Sequence, residues 1–356
     1  LIEKNGEKWF GTDSGLVQVK NQQWKIFKTK NSPLEQNSIK ALAVDNNGIN
    51  WIGIDEQLLE WTSAGWRDFP LPDHLPDRYV HGIAIDDSGN KYIGRMQMGT
   101  TGKSLPQPYV SKVSGGQWKT IYINKPAGLS PVGVGPFVLD VTLDHNGHIW
   151  ILQGGKILRK YNGNKWLSID GSDMGFSRPP GMLSFVETSP NGNIWVGTRS
   201  LGLAKYDGSN WQVFNKANSG VSTNQFTSIA IDKGGTKWFG TENTGVVKYD
   251  GNQWQTITTS SSGLSTNGVS TVAIDTSGAV WMGTSKGVLK WNGSTFQSFT
   301  PASVGIPGKV VRDIEINENS GNIWIGTGLS DKNGGLSQYN GNSWKHFVPN
   351  NSGLDR

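Results

Sequence analysis

The feature that most constrains the fold of this chain is a short tryptophan-containing segment that recurs at nearly constant spacing. Residues 193–206 read NIWVGTRSLGLAKY, and residues 236–249 read TKWFGTENTGVVKY. The aromatic residues that open this W-x-G-T motif are Trp9, Trp51, Tyr92, Trp150, Trp195, Trp238, Trp281 and Trp324. Successive motifs are 42, 41, 58, 45, 43, 43 and 43 residues apart. A period of about 40–45 residues with strand-like content is typical of propeller blades.

One period, residues 226–257, shows how each repeat is expected to fold. Its first strand, Phe226–Asp232, alternates apolar residues with small or polar ones. Three further strands, Lys237–Thr241, Val246–Tyr249 and Trp254–Ile257, follow after turns that contain glycine. Nothing in the period follows helical spacing, and glycine is too frequent for a helix.

The repeats predict an all-β fold. A four-stranded sheet of this kind cannot bury both faces by itself, so it needs a neighbour on each side. Eight motifs therefore predict an eight-bladed β-propeller of four-stranded antiparallel blades, with residues 1–356 as a single domain. Residues 2–9 align with residues 231–238, so the chain starts at the tail of a first strand. We expect the first blade to lack most of its innermost strand, which the full protein would supply upstream of Leu1 or downstream of Arg356.

All 16 tryptophans fall at three positions of the repeat. Seven are motif anchors, seven lie in the fourth strand, and Trp61 and Trp291 lie where other repeats carry tyrosine. Residues that recur through all repeats are predicted to pack between neighbouring blades rather than to bind a ligand. The glycine of W-x-G-T is expected to let a neighbouring backbone approach, and the threonine to hold the following turn.

Charge, cysteine content and hydropathy narrow the classes of function. The chain has 33 Lys and Arg against 28 Asp and Glu, a net charge of +5, and its basic residues are scattered. Nucleic-acid binding usually needs a concentrated basic stripe. The absence of cysteine excludes disulfides and thiol chemistry, and no apolar stretch approaches the ~20 residues of a membrane span. We expect no nucleic-acid partner and no membrane insertion within this segment.

The repeat pattern NxIxxIAxDxxGxxWxGTxxGLxxYDGxxWxxF resembles the two-component regulator propeller repeat. The resemblance covers nearly the whole chain, is strongest at residues 191–300, and is weaker at residues 79–160, where YIGR and WILQ replace W-x-G-T. That family forms β-propeller ectodomains of bacterial sensor kinases and also occurs in exported proteins without a kinase. The resemblance implies a periplasmic or extracellular module for sensing or binding, often of oligosaccharides. Because the family motif is structural, it identifies no catalytic residue.

Residues that depart from the repeat near the loops of one face are the candidates for a ligand site. Arg95 replaces the repeated threonine, and Arg199 directly follows the threonine of its motif. Guanidinium groups at such places suit a carboxylate or a sulfate. The alternative for each arginine is an ion pair with a nearby surface acid. The predicted ligand-binding residues are Arg78, Tyr79, Arg95, Phe137, Met182, Arg199, Gln225 and Arg312.

Metal and catalytic sites have less support. Aspartate-containing turns such as residues 45–48 and 275–278 offer one or two carboxylates each, whereas calcium takes about 6–8 oxygen ligands. His145 and His148 flank a turn, but the sequence shows no third metal ligand beside them. No paired carboxylates and no nucleophile motif are visible, so we expect no catalytic residue, no metal and no cofactor.

The leading interpretation is a non-catalytic ligand-recognition module outside the bacterial cytoplasm, either a sensor ectodomain or an exported protein. Its expected partner is an oligosaccharide or another small acidic ligand, with a protein partner or a downstream kinase domain as further candidates. Two alternatives remain. One is a carbohydrate-active lyase acting on an acidic polysaccharide, in which His81 would work with a nearby Arg and Tyr. The other is a protein–protein interaction scaffold.

Overall fold

The structure is a computed structural model. It describes residues 7–12, 15–20, 23–45, 47–71, 80–86, 88–97, 107–122, 138–153, 155–262, 266–317, 320–328 and 334–348. The chain forms two compact units, residues 1–170 and residues 171–356. The prediction that residues 1–356 form a single domain stays a prediction.

The first unit contains four antiparallel sheets, each built from strands that follow one another along the chain. We number these sheets blades 1 to 4; in the described residues blade 1 has three strands and the others have four. Blade 1 contains β1 (Lys8–Thr12), β2 (Gly15–Lys20) and β3 (Gln23–Phe27). Blade 2 contains β4 (Ile39–Val44), β5 (Asn50–Ile54), β6 (Gln57–Thr62) and β7 (Gly65–Asp68). Blade 3 contains β8 (Val80–Ile85), β9 (Lys91–Gln97), β10 (Gln107–Ser114) and β11 (Gln117–Tyr122). Blade 4 contains β12 (Val138–Leu143), β13 (Ile149–Gln153), β14 (Ile157–Tyr161) and β15 (Trp166–Ile169).

The second unit contains four antiparallel sheets of four strands, blades 5 to 8. Blade 5 contains β16 (Leu183–Thr188), β17 (Ile194–Thr198), β18 (Leu203–Tyr206) and β19 (Trp211–Phe214). Blade 6 contains β20 (Phe226–Ile231), β21 (Lys237–Thr241), β22 (Val246–Tyr249) and β23 (Trp254–Ile257). Blade 7 contains β24 (Val269–Ile274), β25 (Val280–Thr284), β26 (Gly287–Trp291) and β27 (Phe296–Phe299). Blade 8 contains β28 (Val311–Ile316), β29 (Ile323–Thr327), β30 (Gly335–Tyr339) and β31 (Trp344–Phe347). Two four-residue helices, α1 (Thr259–Ser262) and α2 (Pro301–Val304), lie in the links between blades.

The predicted fold class is confirmed. The chain is a β-propeller of eight antiparallel blades with almost no helix. Within the first unit β4 packs against β8, and within the second unit β24 packs against β20 and β28. First strands of successive blades are therefore neighbours, as blade-to-blade packing requires.

The anchor aromatics form the core between neighbouring blades. The ring of Trp195 is buried and stacks on Phe214 of its own blade, with ring centres 5.6 Å apart. It also meets Tyr249 of blade 6 at 5.9 Å, and Phe214 meets Trp254 at 5.3 Å. Aromatic side chains each bury about 150–250 Å². The predicted packing role of the anchor tryptophans is thus confirmed.

The glycine of W-x-G-T makes room for the following blade. A Cβ on Gly283 would lie 2.6 Å from Val311 Cγ1, and a Cβ on Gly11 would lie 2.7 Å from Ile39 Cγ2. Val311 and Ile39 each begin the first strand of the next blade. The predicted close approach is confirmed, but at these positions a side chain approaches rather than the backbone.

The threonine of W-x-G-T holds the turn that follows it, as predicted. Thr198 Oγ1 donates to Gly202 O at 2.9 Å and accepts from the Leu201 N–H at 2.8 Å. Thr241 Oγ1 donates to Gly245 O at 2.8 Å. Such side-chain bonds satisfy turn backbone groups that a strand ladder leaves free.

Candidate functional site

All seven first strands that the structure describes contain a β-bulge at the same place. In β16, Leu183 pairs with Thr198 and Phe185 pairs with Gly197, so Ser184 is an extra residue in the register. The other six first strands show the same shift. A bulge turns a side chain out of the strand alternation and often occurs beside binding sites. The bulged residues are Lys40, His81, Leu139, Ser184, Thr227, Ser270 and Arg312.

In the second unit, three bulged residues carry hydroxyl groups at the contact between blades. Thr227 Oγ1 donates to Val269 O at 2.6 Å, and Ser270 Oγ donates to Val311 O at 2.8 Å. Both acceptors begin the first strand of the next blade. Ser184 Oγ is buried and has no hydrogen-bond partner among the described residues. Thr227 and Ser270 are therefore structural links, and Arg312 is the exception among the bulged residues of this unit.

Met182, Arg199, Gln225 and Glu242 form a contiguous group on the neighbouring blades 5 and 6, at the ends of β17 and β21, which we call the edge patch. The Arg199 backbone N–H donates to Met182 O at 3.0 Å, and the Glu242 N–H donates to Gln225 O at 3.3 Å. Arg199 Nη1 donates to Glu242 Oε1 at 2.7 Å and so joins blade 5 to blade 6. Three of the predicted ligand-binding residues, Met182, Arg199 and Gln225, are thus brought together.

The edge patch is accessible to a ligand. The side chains of Arg199 and Glu242 are 45% and 29% exposed. Met182 is 48% exposed, one of two large apolar side chains that stand exposed in the described part of the chain. The expected alternative for an arginine, an ion pair with a nearby acid, is present at Arg199. Exposed ion pairs of this kind contribute only about 0–1 kcal/mol.

Arg312 lies on the bulge of β28 in the same unit. Its Nε donates to Gly328 O at 2.9 Å, and the Gly328 N–H donates to Val310 O at 3.1 Å. This bond fixes the base of the guanidinium while the residue remains exposed. A guanidinium carries five N–H donors, so Arg312 has further donors with which it can bind an anion.

The other predicted ligand-binding residues lie wholly or partly outside the described residues. Arg78, Tyr79 and Phe137 are outside them. The backbone of Arg95 lies in β9, opposite Val80 of β8 and Tyr109 of β10. Their predicted role in ligand binding stays a prediction.

Aspartates in the turns before the anchors hold the anchor rings. Trp281 Nε1 donates to Asp275 Oδ2 at 2.8 Å, and the Tyr92 hydroxyl donates to Asp86 Oδ2 at 2.9 Å. Burial raises the pKa of these carboxyl groups, but the hydrogen bonds they accept outweigh it and leave the pKa of Asp86, Asp144 and Asp275 below its ordinary value. These carboxylates are used in structural contacts.

The histidine pair belongs to one of these turns. His148 Nδ1 lies 2.9 Å from Asp144 Oδ2, and the His148 backbone N–H donates to Asp144 Oδ1 at 3.0 Å. His145 is exposed. Among the residues that the structure describes, no three His, Cys, Asp or Glu side chains form a group that could hold a metal ion.

Sequence reasoning missed a cavity between blades 3 and 4 of the first unit. The cavity has a volume of about 360 Å³ and is lined in part by Tyr92, Ile121, Ile149 and Tyr161. Ligand pockets are typically about 300–1,000 Å³. The available indication was Tyr92, which is the single anchor of the eight that is not tryptophan.

Solved structures with similar folds come from proteins of different kinds. The extracellular domain assigned to the hybrid two-component system BT3049 of B. thetaiotaomicron has a TM-score of 0.52 and 18% identity, over 100% of this chain and 52% of that chain. YCF48 from Cyanidioschyzon merolae has a TM-score of 0.52 and 15% identity, over 88% of this chain and 96% of that chain. YCF48 bound to the D1 peptide has a TM-score of 0.51 and 15% identity, over 78% of this chain and 84% of that chain.

These likenesses show the propeller fold alone. This chain spans about half the length of the B. thetaiotaomicron domain, 52%. No protein-family model and no curated protein sequence matches the chain. Within the described ranges, the structure contains no helix with the length and apolar character needed to cross a bilayer.

Proposed function

We propose that this chain is a non-catalytic ligand-recognition module outside the bacterial cytoplasm, of the sensor-ectodomain type. Its ligand is an oligosaccharide or another small acidic molecule. The observation that carries the proposal is the edge patch, where Arg199, which departs from the repeat, meets Glu242 of the next blade through one ion pair.

The edge patch has the chemistry expected of an acid-binding surface. A single hydrogen bond from Nη1 links Arg199 to Glu242, which leaves further guanidinium donors for a second acceptor. A ligand carboxylate or sulfate can take two parallel N–H bonds from such a group. Met182 adds an exposed, adaptable apolar surface beside it.

Support for a sensor role comes from fold similarity, so it concerns the class of protein and not a particular ligand. The similar domain from B. thetaiotaomicron is the extracellular part of a hybrid two-component system, and its likeness extends over this whole chain. A sensor role predicts that the full gene also encodes a membrane span and a kinase or regulator. A gene that encodes the propeller repeats and nothing else would instead favour an exported binding protein.

Binding of acidic and neutral oligosaccharides to purified variants tests the edge patch. Arg199→Ala is expected to weaken binding of acidic ligands by at least about tenfold, as loss of a charge-assisted contact does. Glu242→Gln is expected to strengthen binding, because it removes the acid that competes for the guanidinium. The matched control is Arg67→Ala, since Arg67 is exposed and pairs with Glu60 at 3.0 Å in the first unit. Equal binding by wild type and Arg199→Ala would exclude this location.

Peptide recognition is the second candidate, favoured by two observations. YCF48, whose fold is similar, has been seen bound to the D1 peptide. Exposed methionine is also common on surfaces that bind varied peptides. Peptide-array binding that is lost in Met182→Ser but kept in Arg199→Ala would support this candidate over the acidic ligand.

A further inference from the structure

The cavity between blades 3 and 4 arises where two core residues depart from the repeat. Three residues after the fourth-strand aromatic, five of the eight blades carry phenylalanine and blades 3, 4 and 6 carry isoleucine. In blade 7 this residue is Phe299, which stacks on Trp281 with ring centres 5.6 Å apart. Blade 3 has Tyr92 in place of the tryptophan and Ile121 in place of the phenylalanine. Both replacements are smaller, and both residues line the cavity. The space is therefore left by the absent indole and phenyl rings.

Two lysines stand directly opposite each other beside this cavity. Lys112 of β10 pairs in register with Lys119 of β11, and both line the cavity. Like charges directly opposite across strands destabilise a sheet. In the described strands no other blade pairs two cations here: most combine a lysine with glutamine, as at Lys248 and Gln255 in blade 6, while blade 4 pairs Lys160 with Leu167 and blade 2 pairs Glu60 with Arg67.

Neither lysine has an ion-pair partner among the described residues. In blades 4 and 7 the lysine equivalent to Lys112 lies 3.6 Å from the turn aspartate. In blade 3 the carboxylate of Asp86 instead accepts hydrogen bonds from Tyr92 and Asn90. Lys112 Nζ lies 5.3 Å from the centre of the Tyr92 ring. Lys112 interacts electrostatically with the Asp86 carboxylate, but neither lysine forms a direct ion pair among the described residues, so the two ammonium groups together can still bind an anion.

The remaining walls suit a small ring with hydroxyl groups. Ile121, Ile149 and Tyr161, all buried, form the apolar and aromatic base of the cavity. Ser114 and Gln117, opposite each other at the strand ends, bring an exposed hydroxyl and an exposed amide to the rim. A groove of about 500 Å³ between blades 6 and 7 has no lysine or arginine in its lining, so charge distinguishes the cavity of blades 3 and 4.

We propose that the cavity between blades 3 and 4 is a binding site for a sugar acid. The carboxylate lies between Lys112 and Lys119, and the sugar ring fills the space that tryptophan and phenylalanine occupy in other blades. This site is separate from the edge patch and does not depend on the function proposed there.

Calorimetric titration of the chain with D-glucuronate, D-glucose and sodium sulfate tests this site. Glucuronate is expected to bind, and both glucose and sulfate to bind at least about tenfold more weakly, because each lacks one half of the recognised chemistry. The Lys112→Ala/Lys119→Ala variant should lose glucuronate binding. The Lys248→Ala/Lys345→Ala variant removes the same charge at equivalent positions of blades 6 and 8 and should bind like wild type.

A second variant tests whether glucuronate binding needs the cavity itself and not only the charge of the two lysines. Tyr92→Trp/Ile121→Phe restores the residues of the other blades, so it should fill the cavity, abolish glucuronate binding and leave the thermal unfolding midpoint unchanged or higher. Wild-type affinity in this variant, glucose binding as tight as glucuronate, or equal losses in the two lysine variants would each overturn the proposal. Arg199→Ala should leave this titration unaltered, so failure here and failure at the edge patch can be told apart.

Discussion

At the scale of single residues, one hydrogen bond explains why aspartate precedes so many anchors. Its carboxylate accepts from the anchor ring, as Asp275 does from Trp281 at 2.8 Å. Blade 5 lacks this bond because Ser189 occupies the position, and Trp195 Nε1 is buried without a hydrogen-bond partner among the described residues. Lys237 Nζ lies 5.6 Å from the centre of the Trp195 ring, and burial lowers the pKa of this lysine. Blade 5 therefore has an indole donor and a nearby lysine but no turn carboxylate.

Restoring the aspartate should stabilise blade 5. Ser189→Asp supplies an acceptor for Trp195 Nε1 but removes the hydrogen bonds that Ser189 Oγ donates to Asn191 Oδ1 and Asn193 O, so we expect the free energy of unfolding to rise by less than about 1 kcal/mol. The backbone is already suited, because the Ser189 N–H bonds to Asn193 O just as the Asp275 N–H bonds to Ala279 O. Urea unfolding measures the change. The reverse change, Asp275→Ala, should cost about 1–3 kcal/mol, and a loss of stability in Ser189→Asp would contradict this account.

The same carboxylates predict an acid-sensitive fold. The pKa of Asp86, Asp144 and Asp275 is lower in the folded chain than in the unfolded chain. Their stabilising contribution is therefore complete above the unfolded pKa, about 4, and is lost as the pH falls through the folded pKa. Asp275→Asn removes one of these groups, so its unfolding free energy should fall less steeply than that of wild type below about pH 4. Parallel curves from urea titrations across this range would refute the assignment.

At the scale of the strand, the bulge at the start of the first strand links neighbouring blades through its side chain in blades 6 and 7. Ser270→Ala and Thr227→Val remove bonds to Val311 O and Val269 O, and each should lower the unfolding free energy by about 1 kcal/mol. Ser184→Ala is the matched control at the same bulge position. Because Ser184 Oγ is buried without a partner among the described residues, its removal should be neutral or stabilising. Equal losses for all three variants in chemical unfolding would show that the hydroxyl bonds are not responsible.

The second strand of blade 7 should tolerate no side chain at the glycine of W-x-G-T. Gly283→Ala places a Cβ 2.6 Å from both Val311 Cγ1 and Thr271 Cγ2, and overpacking of this kind costs about 1–3 kcal/mol. Gly82→Ala is the control, since a Cβ there has no heavy atom within 4 Å. Differential scanning calorimetry should show a lower midpoint for Gly283→Ala only. A similar decrease in both variants would show that the contact between blades is not responsible, since the loss of unfolded-state entropy on changing Gly to Ala acts in the stabilising direction.

At the scale of the whole molecule, the single-domain prediction concerns cooperativity. If residues 1–356 unfold as one domain, calorimetry should show one transition whose van't Hoff and calorimetric enthalpies agree. If residues 1–170 and 171–356 unfold separately, two transitions will appear. Gly283→Ala, which lies in the second unit, distinguishes the two cases. If the units unfold separately, it should lower the midpoint of only one transition; if they unfold together, it should lower the midpoint of the single transition.

The blade architecture could be predicted because its determinants are local and repeated. In blade 6 the predicted strands Lys237–Thr241, Val246–Tyr249 and Trp254–Ile257 have the observed bounds, and the first ends one residue earlier, at Ile231. The bulge within that strand was missed. Apolar residues three apart, as at Phe226 and Ile229, break strict alternation and were the available indication.

The partners of the candidate site residues could not be predicted in the same way. Arg199 and Glu242 are 43 residues apart, and the repeat shows only that they occupy equivalent places in adjacent blades. Whether Arg199 binds Glu242 depends on the rotamers of both side chains. Whether Arg312 donates to Gly328 O depends in addition on the bulge, which changes the direction of the Arg312 side chain.

By itself, the sequence determined the strands, the turns, the number of blades and the packing role of the anchor tryptophans, because periodic hydrophobicity and turn chemistry act over a few residues and repeat eight times. Only the tertiary structure decided which side chains meet across blades, which turn carboxylates accept hydrogen bonds from anchor rings and where a cavity remains. Those properties depend on distances between residues that are remote in the chain, and on volumes summed over two blades at once. The sequence shows Tyr92 only as a departure from the repeat, whereas the structure shows that it lines a cavity together with Ile121, Lys112 and residues of blade 4.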